Sequence, residues 1–63
     1  MDYRVTIASH GRTIATGDWK RLDTAEHKFR SWIGDWGDID GARITLAERH
    51  GNGWRELKAW PDA

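Results

Sequence analysis

A set of side chains, most of them in the second half of the chain, combines two chemical types that dominate binding surfaces, indole rings and cationic groups. These candidate binding residues are Trp54, Trp60, Arg43, Arg49 and Lys58, with Trp19 as a further candidate. Tryptophan and arginine are enriched among the residues that contribute most to protein–protein affinity. The same groups can bind a single-stranded nucleic acid, because aromatic rings stack on bases while guanidinium groups contact phosphates. The sequence therefore raises two binding functions that must be separated.

Two predicted strands position most of these residues. Apolar residues occupy every second position from Ala42 to Leu46 in a first strand, and a second strand follows the turn and ends before Pro61. The two-residue turn is either Gly51-Asn52 or Asn52-Gly53. In both cases strict alternation puts Leu57 and Ala59 beside Ile44 and Leu46, and puts Trp54, Glu56, Lys58 and Trp60 on the opposite side.

A β-hairpin is also predicted at the start of the chain. Apolar residues occupy every second position from Tyr3 to Ile7, which is typical of a half-buried strand. A two-residue loop at His10-Gly11 would pair Ile7 with Ile14 and keep both on one face. Trp19 then lies on the opposite face unless a bulge at Gly17 reverses the alternation.

A single amphipathic helix is predicted between the hairpins. Its apolar stripe consists of Ala25, Phe29, Trp32, Ile33 and Trp36. Asp23 is expected to cap the first turn with Glu26 reaching back to it, and Gly37 is expected to end the helix in a left-handed conformation. Gly34 weakens the last turn by about 1 kcal/mol relative to alanine.

These elements predict an α+β fold in which a β-hairpin, a helix and a β-hairpin (ββαββ) form one domain over residues 1–63. One helix covers one face of a four-stranded sheet. The expected core is Tyr3, Val5, Ile7, Ile14, Phe29, Trp32, Ile33, Ile44, Leu46 and Leu57. The expected uncovered face carries Arg4, Thr6, Thr13, Ala15, Thr45 and the candidate binding residues, together with Asp2 and Glu56.

About half of the chain resembles the immunoglobulin-binding domain of streptococcal protein G. The similar stretches are Met1-Asp2-Tyr3-Arg4-Val5, Gly11-Arg12-Thr13-Ile14, Thr24-Ala25-Glu26 followed by Phe29, and the loop from Gly37 to Asp40-Gly41. The resemblance implies a β-grasp fold whose first and last strands run parallel at the sheet centre. Glu26 matches a family binding position, whereas His27, Arg30, Ser31 and Arg43 replace other binding residues of the family. The resemblance therefore bears on the fold more than on antibody binding.

Tryptophans on a solvated sheet face have two explanations. They either lie across Arg43 and Arg49 in cation–π contacts that seal the sheet edges, or they form a docking surface for a protein partner or a second copy of the chain. A nucleic-acid surface is less favoured, because Asp2 and Glu56 share the face and ten basic residues are balanced by ten acidic ones.

Composition and residue spacing argue against an enzyme, a metal site and a cofactor. A 63-residue chain buries only about 60% of the surface exposed by its unfolded form, which leaves little room for an enclosed active site. His10, His27 and His50 are too scattered for a metal motif, and there is no cysteine. Glu48 is expected to pair with Arg55 at the core rim rather than to act as a catalytic acid. We therefore expect no enzyme, no metal and no cofactor.

The sequence thus predicts a small, non-enzymatic protein-interaction module that binds through its tryptophan- and arginine-bearing sheet face or its helix. The alternative is a single-stranded nucleic-acid-binding module that uses the same face. We expect a cytoplasmic protein without membrane association, because no long apolar segment is present. Seven arginines against three lysines are typical of a GC-rich genome, and with the small size they favour a phage or another mobile element as the source.

Overall fold

The structure, a computed structural model, describes residues 2–61. Its five elements are β1 (Tyr3–Ser9), β2 (Arg12–Trp19), α1 (Leu22–Trp36), β3 (Ala42–His50) and β4 (Gly53–Trp60). The strands form one antiparallel sheet, and α1 packs on one face of it. The predicted α+β class and ββαββ order are therefore confirmed. Residues 1, 62 and 63 lie outside the described residues. All three belong to the predicted domain, and residue 1 also belongs to the opening stretch that resembles protein G.

The order of the strands in the sheet is β2-β1-β3-β4. The two central strands, β1 and β3, run antiparallel, with Val5 opposite Leu46 and Ile7 opposite Ile44. The parallel pairing of the first and last strands that the protein G resemblance implied is therefore wrong, since β4 pairs with β3 and forms an edge. Alternating side chains decide which residues face the helix, but they do not decide which strands become neighbours.

The core lies between α1 and the central strands. Val5, Ile7, Ile44 and Leu46 are fully buried, as is Ala25 of the helix. Tyr3 and Phe29 complete the buried cluster, and half-buried Trp32, Ile33 and Trp36 pack against it. The predicted helical stripe is therefore confirmed, because each of its residues contributes to the core.

A β-bulge in the first hairpin moves two residues from their expected positions. The predicted loop at His10-Gly11 is confirmed, with φ values of 50° and 82°, but Ile7 lies opposite Ala15 rather than Ile14. The additional residue in the strand reverses the alternation beyond it. Ile14 is therefore 44% exposed instead of buried. Ala15, expected on the uncovered face, packs against the core instead.

A second bulge, in β4, has the same effect on the last strand. Leu46 lies opposite Lys58 and Ala47 lies opposite Glu56, so that Leu57 is the additional residue. Leu57, expected in the core, is 37% exposed. Beyond the bulge the two sides are exchanged, and Lys58 and Trp60 lie on the helix side while Ala59 lies on the uncovered side. The turn before β4 is Gly51-Asn52, the first of the two predicted alternatives.

The ends of α1 differ from the predicted ends. The residue before the helix is Arg21, which provides no side-chain cap, and Asp23 lies within the first turn. The Asp23 carboxylate accepts hydrogen bonds from the Thr24 amide and the Arg21 guanidinium. Gly37 has a right-handed conformation, with a φ of −61°. The predicted capping box and left-handed terminator are therefore wrong, and the left-handed residue of this loop is Gly41, with a φ of 71°.

Gly34 gives a direct test of helix stability. A β-carbon added at this exposed position would have no atom within 4 Å. We therefore expect Gly34→Ala to raise the free energy of unfolding by about 1 kcal/mol, because alanine restricts the unfolded chain without strain in the helix. Thermal unfolding followed by circular dichroism should show a midpoint about 4 to 8 °C higher. A lower midpoint would contradict this assignment of Gly34 to open helix surface.

Candidate functional site

The sheet face opposite α1, called the open face here, is the main candidate surface. Its middle is a row of small residues that crosses all four strands, namely Thr16, Thr6, Thr45 and Ala59. We call this the central row. On one side of it lie Asp18, Arg4, Ala47 and Glu56, followed by Arg49 and Trp54; on the other side lie Thr13, Ala8 and Arg43. The open face is therefore a shallow surface with large side chains at one end.

Trp54 is held in place by a chain of contacts on the open face. The guanidinium carbon of Arg4 lies 4.2 Å from the centroid of the Trp54 ring. The same guanidinium donates hydrogen bonds to both carboxylate oxygens of Asp18, at 2.8 Å from Nε and 3.2 Å from Nη2. Because both of these nitrogens are fixed, the cation cannot easily leave the ring. Trp54 is 40% exposed, so solvent can reach this ring although Arg4 packs against it.

The Arg4–Asp18 pair lowers the pKa of Asp18, chiefly through the hydrogen bonds from Arg4, with a smaller contribution from charge attraction; together these exceed the opposing effect of desolvation. The same interactions raise the pKa of Arg4. The pair therefore favours the charged form of both groups over a wide pH range. It connects an edge strand with a central strand and keeps Arg4 against the face of the Trp54 ring.

Acid should weaken this pair. Since the pKa of Asp18 is lower in the folded state, its contribution to stability is complete above the unfolded value, about 4, and is lost as pH falls through the folded value. We expect Asp18→Asn to reduce stability at neutral pH, with the difference from the unsubstituted chain disappearing at low pH. Urea unfolding between pH 7 and pH 2 measures this difference. Asp35→Asn, on exposed helix surface, is the control; a pH-independent effect of Asp18→Asn would contradict the prediction.

The other charges of the open face also have partners of opposite sign. Arg43 Nη2 lies 3.8 Å from Glu56 Oε1. The Asp2 carboxylate lies 3.6 Å from Arg49 Nη1 and 3.7 Å from Lys20 Nζ. These contacts are longer than the Arg4–Asp18 hydrogen bonds and lie in solvent, so each contributes little to stability. They balance the cationic groups of the face with carboxylates.

Three of the six candidate binding residues lie on the open face. Trp54, Arg43 and Arg49 are exposed there, as the alternation predicted. The expected cation–π partners of the tryptophans, Arg43 and Arg49, are replaced by Arg4. Arg4 lies two strands away from Trp54, so the contact between them spans β3 instead of remaining at the sheet edge.

Trp19 lies on the helix side of the sheet, which corrects its expected place. Its ring forms an edge-to-face contact with Trp32 of α1, with centroids 6.1 Å apart. The bulge at Ile14, earlier in β2 than the one considered at Gly17, turns Trp19 inward. Gly17 allows this arrangement, since a β-carbon there would lie 2.3 Å from Cη2 of the Trp19 indole.

Trp60 and Lys58 are also on the helix side, because the bulge at Leu57 reverses the end of β4. The half-buried Trp60 ring packs against the core and passes close to Gly37. Lys58 Nζ donates a 2.6 Å hydrogen bond to the Glu26 carboxylate of α1 and lowers the pKa of Glu26. Both residues therefore join β4 to the helix, and their predicted position on the open face is wrong.

Glu48 and Arg55 form the ion pair that the sequence predicted. Arg55 Nη2 donates a 2.9 Å hydrogen bond to Glu48 Oε1, and the Glu48 side chain is only 14% exposed. The two residues lie opposite each other on β3 and β4 at the rim of the core. This geometry matches a structural role at the sheet edge.

The outer surface of α1 was the other predicted binding surface. His27, Arg30 and Ser31 are exposed there. The surface lacks an exposed large aromatic group, because the helical tryptophans at positions 32 and 36 are half-buried against the core. It therefore offers fewer strong contacts than the open face.

Two residues that organise the open face were not predicted as site residues from the sequence. Arg4 was placed on this face without a role, and Asp18 was not assigned to it. Arginine near the start of a central strand is a usable signal, because a charged side chain there needs a partner across the sheet. Asp18 could be identified only after the bulge in β2 was known, since the bulge places it beside Arg4.

A small-molecule site would need a cavity, and a metal site would need a cluster of ligating side chains. Over residues 2–61 there is no cavity and no cluster of three or more histidine, aspartate or glutamate residues that could hold a metal ion. No helix in the same range has the length and apolar character needed to cross a membrane.

Comparison with known proteins adds no assignment to this geometry. Neither a protein-family model, nor a curated protein, nor a solved structure gives a significant match to the chain. Function must therefore be inferred from the open face itself.

Proposed function

We propose that the chain is a small, non-enzymatic protein-binding module that docks a protein partner on its open face. The observation that carries this proposal is Trp54, a 40% exposed indole held by Arg4, which is itself held by Asp18. Tryptophan and arginine dominate the energetics of protein interfaces. An aromatic group that is already fixed loses little conformational freedom on binding, so more of its contact energy contributes to affinity.

The rest of the open face suits a flat partner. Its central row consists of threonine and alanine side chains, which allow close approach of another surface. Paired charges surround this row, with Arg43 beside Glu56 and Arg49 beside Asp2. A rim of polar and charged groups is the usual surrounding of the buried centre of a protein interface.

Binding of single-stranded nucleic acid is less well supported. Trp54 could stack on a base, but Arg4, Arg43 and Arg49 each lie within 4 Å of a carboxylate. A phosphate would have to displace these carboxylates or lie close to them, which opposes the electrostatic attraction that drives such binding. Salt distinguishes the two functions, because phosphate-driven affinity falls steeply between low and moderate salt.

Composition supports a cytoplasmic location and a mobile-element source as further parts of the proposal. The chain has no cysteine, and small proteins of oxidising compartments usually depend on disulfides. Its arginine excess and small size are the features that favour a phage source. Detection of the chain in the cytosolic fraction of its host would test the location.

Affinity capture from the native host tests the proposed function. The immobilised chain is compared with Trp54→Ala and with Leu57→Ala, a control on the same strand with similar exposure, 37% against 40%. We expect a protein that Leu57→Ala retains, that nuclease treatment does not remove, and that binds Trp54→Ala at least about tenfold more weakly. Circular dichroism checks that both variants are folded. Equal binding by the two variants, or loss of all binding after nuclease treatment, would contradict the proposal.

A further inference from the structure

The turn between β3 and β4 carries the single side-chain amide of the chain. The sequence has one asparagine, Asn52, and no glutamine. Asn52 stands between Gly51 and Gly53, where Gly51 has a φ of 62° and Asn52 a negative one, as in a type II′ turn. An asparagine that precedes glycine can react without an enzyme, because the next main-chain nitrogen can close a five-membered ring on the side chain and glycine does not obstruct this closure.

The surroundings of the turn leave Asn52 free to react. All residues from 49 to 58 are exposed. A β-carbon added to Gly51 or to Gly53 would have no atom within 4 Å. The Asn52 side chain makes no hydrogen bond within residues 2–61. Its amide can therefore rotate toward the main chain without displacing a neighbour.

The pair Asp40-Gly41 shows the opposite situation in the same molecule. A β-carbon added to Gly41 would lie 2.6 Å from Cε1 of the His10 ring. Ser9 Oγ donates a 2.7 Å hydrogen bond to the main-chain carbonyl of Asp40, and the His10 amide donates one to the carbonyl of Gly41. These contacts hold the loop before β3 in one shape, whereas the turn before β4 lacks a covering side chain.

We infer that Asn52 is a site of spontaneous covalent modification, in which the main-chain nitrogen of Gly53 displaces ammonia from the side-chain amide. That nitrogen gives its proton to solvent and bonds to Cγ of Asn52. The bond from Cγ to Nδ2 breaks, and Nδ2 leaves as ammonia after taking a proton from water. Water then opens the resulting succinimide at one of its two carbonyl carbons. Opening at Cγ gives aspartate, and opening at the main-chain carbonyl gives isoaspartate, in which the main chain runs through Cβ and Cγ.

The reaction needs a local opening of the hairpin tip. Gly53 is paired with His50 in the folded turn, so its nitrogen must leave this pairing to reach the Asn52 side chain. Segments with exposed main-chain pairs and few buried contacts open at a much lower cost than the whole domain. The tip beyond the Glu48–Arg55 ion pair has no buried residue. Asn52 should therefore react from the folded protein and not only after global unfolding.

The two products differ in their effect on the hairpin. Each adds one negative charge to a chain whose ten basic and ten acidic residues balance. Aspartate keeps the number of main-chain atoms, whereas isoaspartate adds one carbon to a turn whose length fixes Arg49 opposite Trp54. The isoaspartate form should therefore be the less stable one. This inference is independent of the proposed function, because it concerns the turn and not a partner.

Timed incubation of the folded chain in mildly alkaline buffer, followed by intact-mass spectrometry, tests the inference. Replacing the amide by a carboxyl group raises the mass by about 1 Da, and Asn52 has the only side chain that can give this gain. Asn52→Gln would need a less favourable six-membered ring, and Gly53→Ala places a methyl group beside the attacking nitrogen. We expect both variants to gain mass at least about tenfold more slowly than the unsubstituted chain. Circular dichroism checks that they are folded.

Two further comparisons separate local opening from global unfolding. The folded chain should react at more than about one hundredth of the rate of the same chain unfolded in urea, because global unfolding alone populates less open turn than this. Gly34→Ala, which stabilises the domain away from the turn, should leave the rate unchanged. If only the unfolded chain reacted, this variant would react about fivefold more slowly. Chromatography then separates the products, and the isoaspartate form should unfold at least about 4 °C below the aspartate form.

Four results would overturn the inference. The first is a folded chain that reacts more slowly than about one hundredth of the rate in urea. The second is an Asn52→Gln or Gly53→Ala variant that gains mass as fast as the unsubstituted chain. The third is a rate that falls about fivefold in Gly34→Ala. The fourth is an isoaspartate form with the same thermal midpoint as the aspartate form, since the turn length would then not matter.

Discussion

Replacing Leu46 with alanine is expected to lower the free energy of unfolding by about 2 to 5 kcal/mol. Leu46 is fully buried in central strand β3, opposite Val5 and beneath the helix. Its removal leaves a cavity that the packed neighbours cannot fill. A domain of 63 residues has a total stability of about 3 to 9 kcal/mol, so this one substitution removes a large part of it. Urea unfolding followed by circular dichroism measures the loss.

Leu57→Ala is the matched control for Leu46→Ala. The two leucines lie on adjacent strands, and the sequence alone predicted both of them in the core. The bulge in β4 leaves Leu57 37% exposed, so its truncation should change stability by less than about 0.5 kcal/mol. A large loss from Leu57→Ala would mean that β4 continues without a bulge and that Trp60 lies on the open face, as the alternation predicted.

Gly17→Ala is expected to lower stability by about 1 to 3 kcal/mol, although alanine usually favours a strand over glycine. The new β-carbon would lie 2.3 Å from Cη2 and 2.8 Å from Cζ3 of the Trp19 ring. The ring would have to move, and it would then lose its edge-to-face contact with Trp32. Chemical unfolding gives the loss of stability, and near-ultraviolet circular dichroism reports the changed indole packing.

Gly53→Ala separates the steric effect from the effect of the residue type. Gly53 also lies in a strand, but a β-carbon there would have no atom within 4 Å. We expect Gly53→Ala to be neutral or to stabilise the chain by up to about 1 kcal/mol. If Gly17→Ala and Gly53→Ala have equal stabilities, the Trp19 ring does not lie over Gly17, and its assignment to the helix side is incorrect.

Periodicity was sufficient to predict most of the fold. The alternation at Val5 and Ile7, and at Ile44 and Leu46, identified both central strands and their buried faces, and these residues are fully buried. The four-residue and three-residue spacing of the helical stripe identified the covering helix. Both signals are local, because each depends on one element facing one core. The order of the strands depends on which edges of the two hairpins pair with each other. No local sequence pattern indicates this pairing.

The candidate site was only partly predictable because parity fails beyond a bulge. Trp54 precedes Leu57 in β4, and Arg49 lies opposite Trp54 in β3. Both residues lie on the predicted side of the sheet. Trp60 and Lys58 follow Leu57 and lie on the other side. A bulge depends on how two strands fit together, and neither of the bulged residues, an isoleucine in β2 and a leucine in β4, has a type that marks one. The glycine in β2 suggested a bulge near the right place, three residues too late.

The two bulges have a consequence for growth of the sheet. They lie in β2 and β4, the two outermost strands, whose unpaired amides and carbonyls would otherwise be templates for further strands. An irregular rim pairs poorly with another extended chain, so ribbon-like polymers and fibrils are disfavoured at both margins. Even under crowded conditions, this polypeptide should therefore resist growth into filaments by strand addition at either margin.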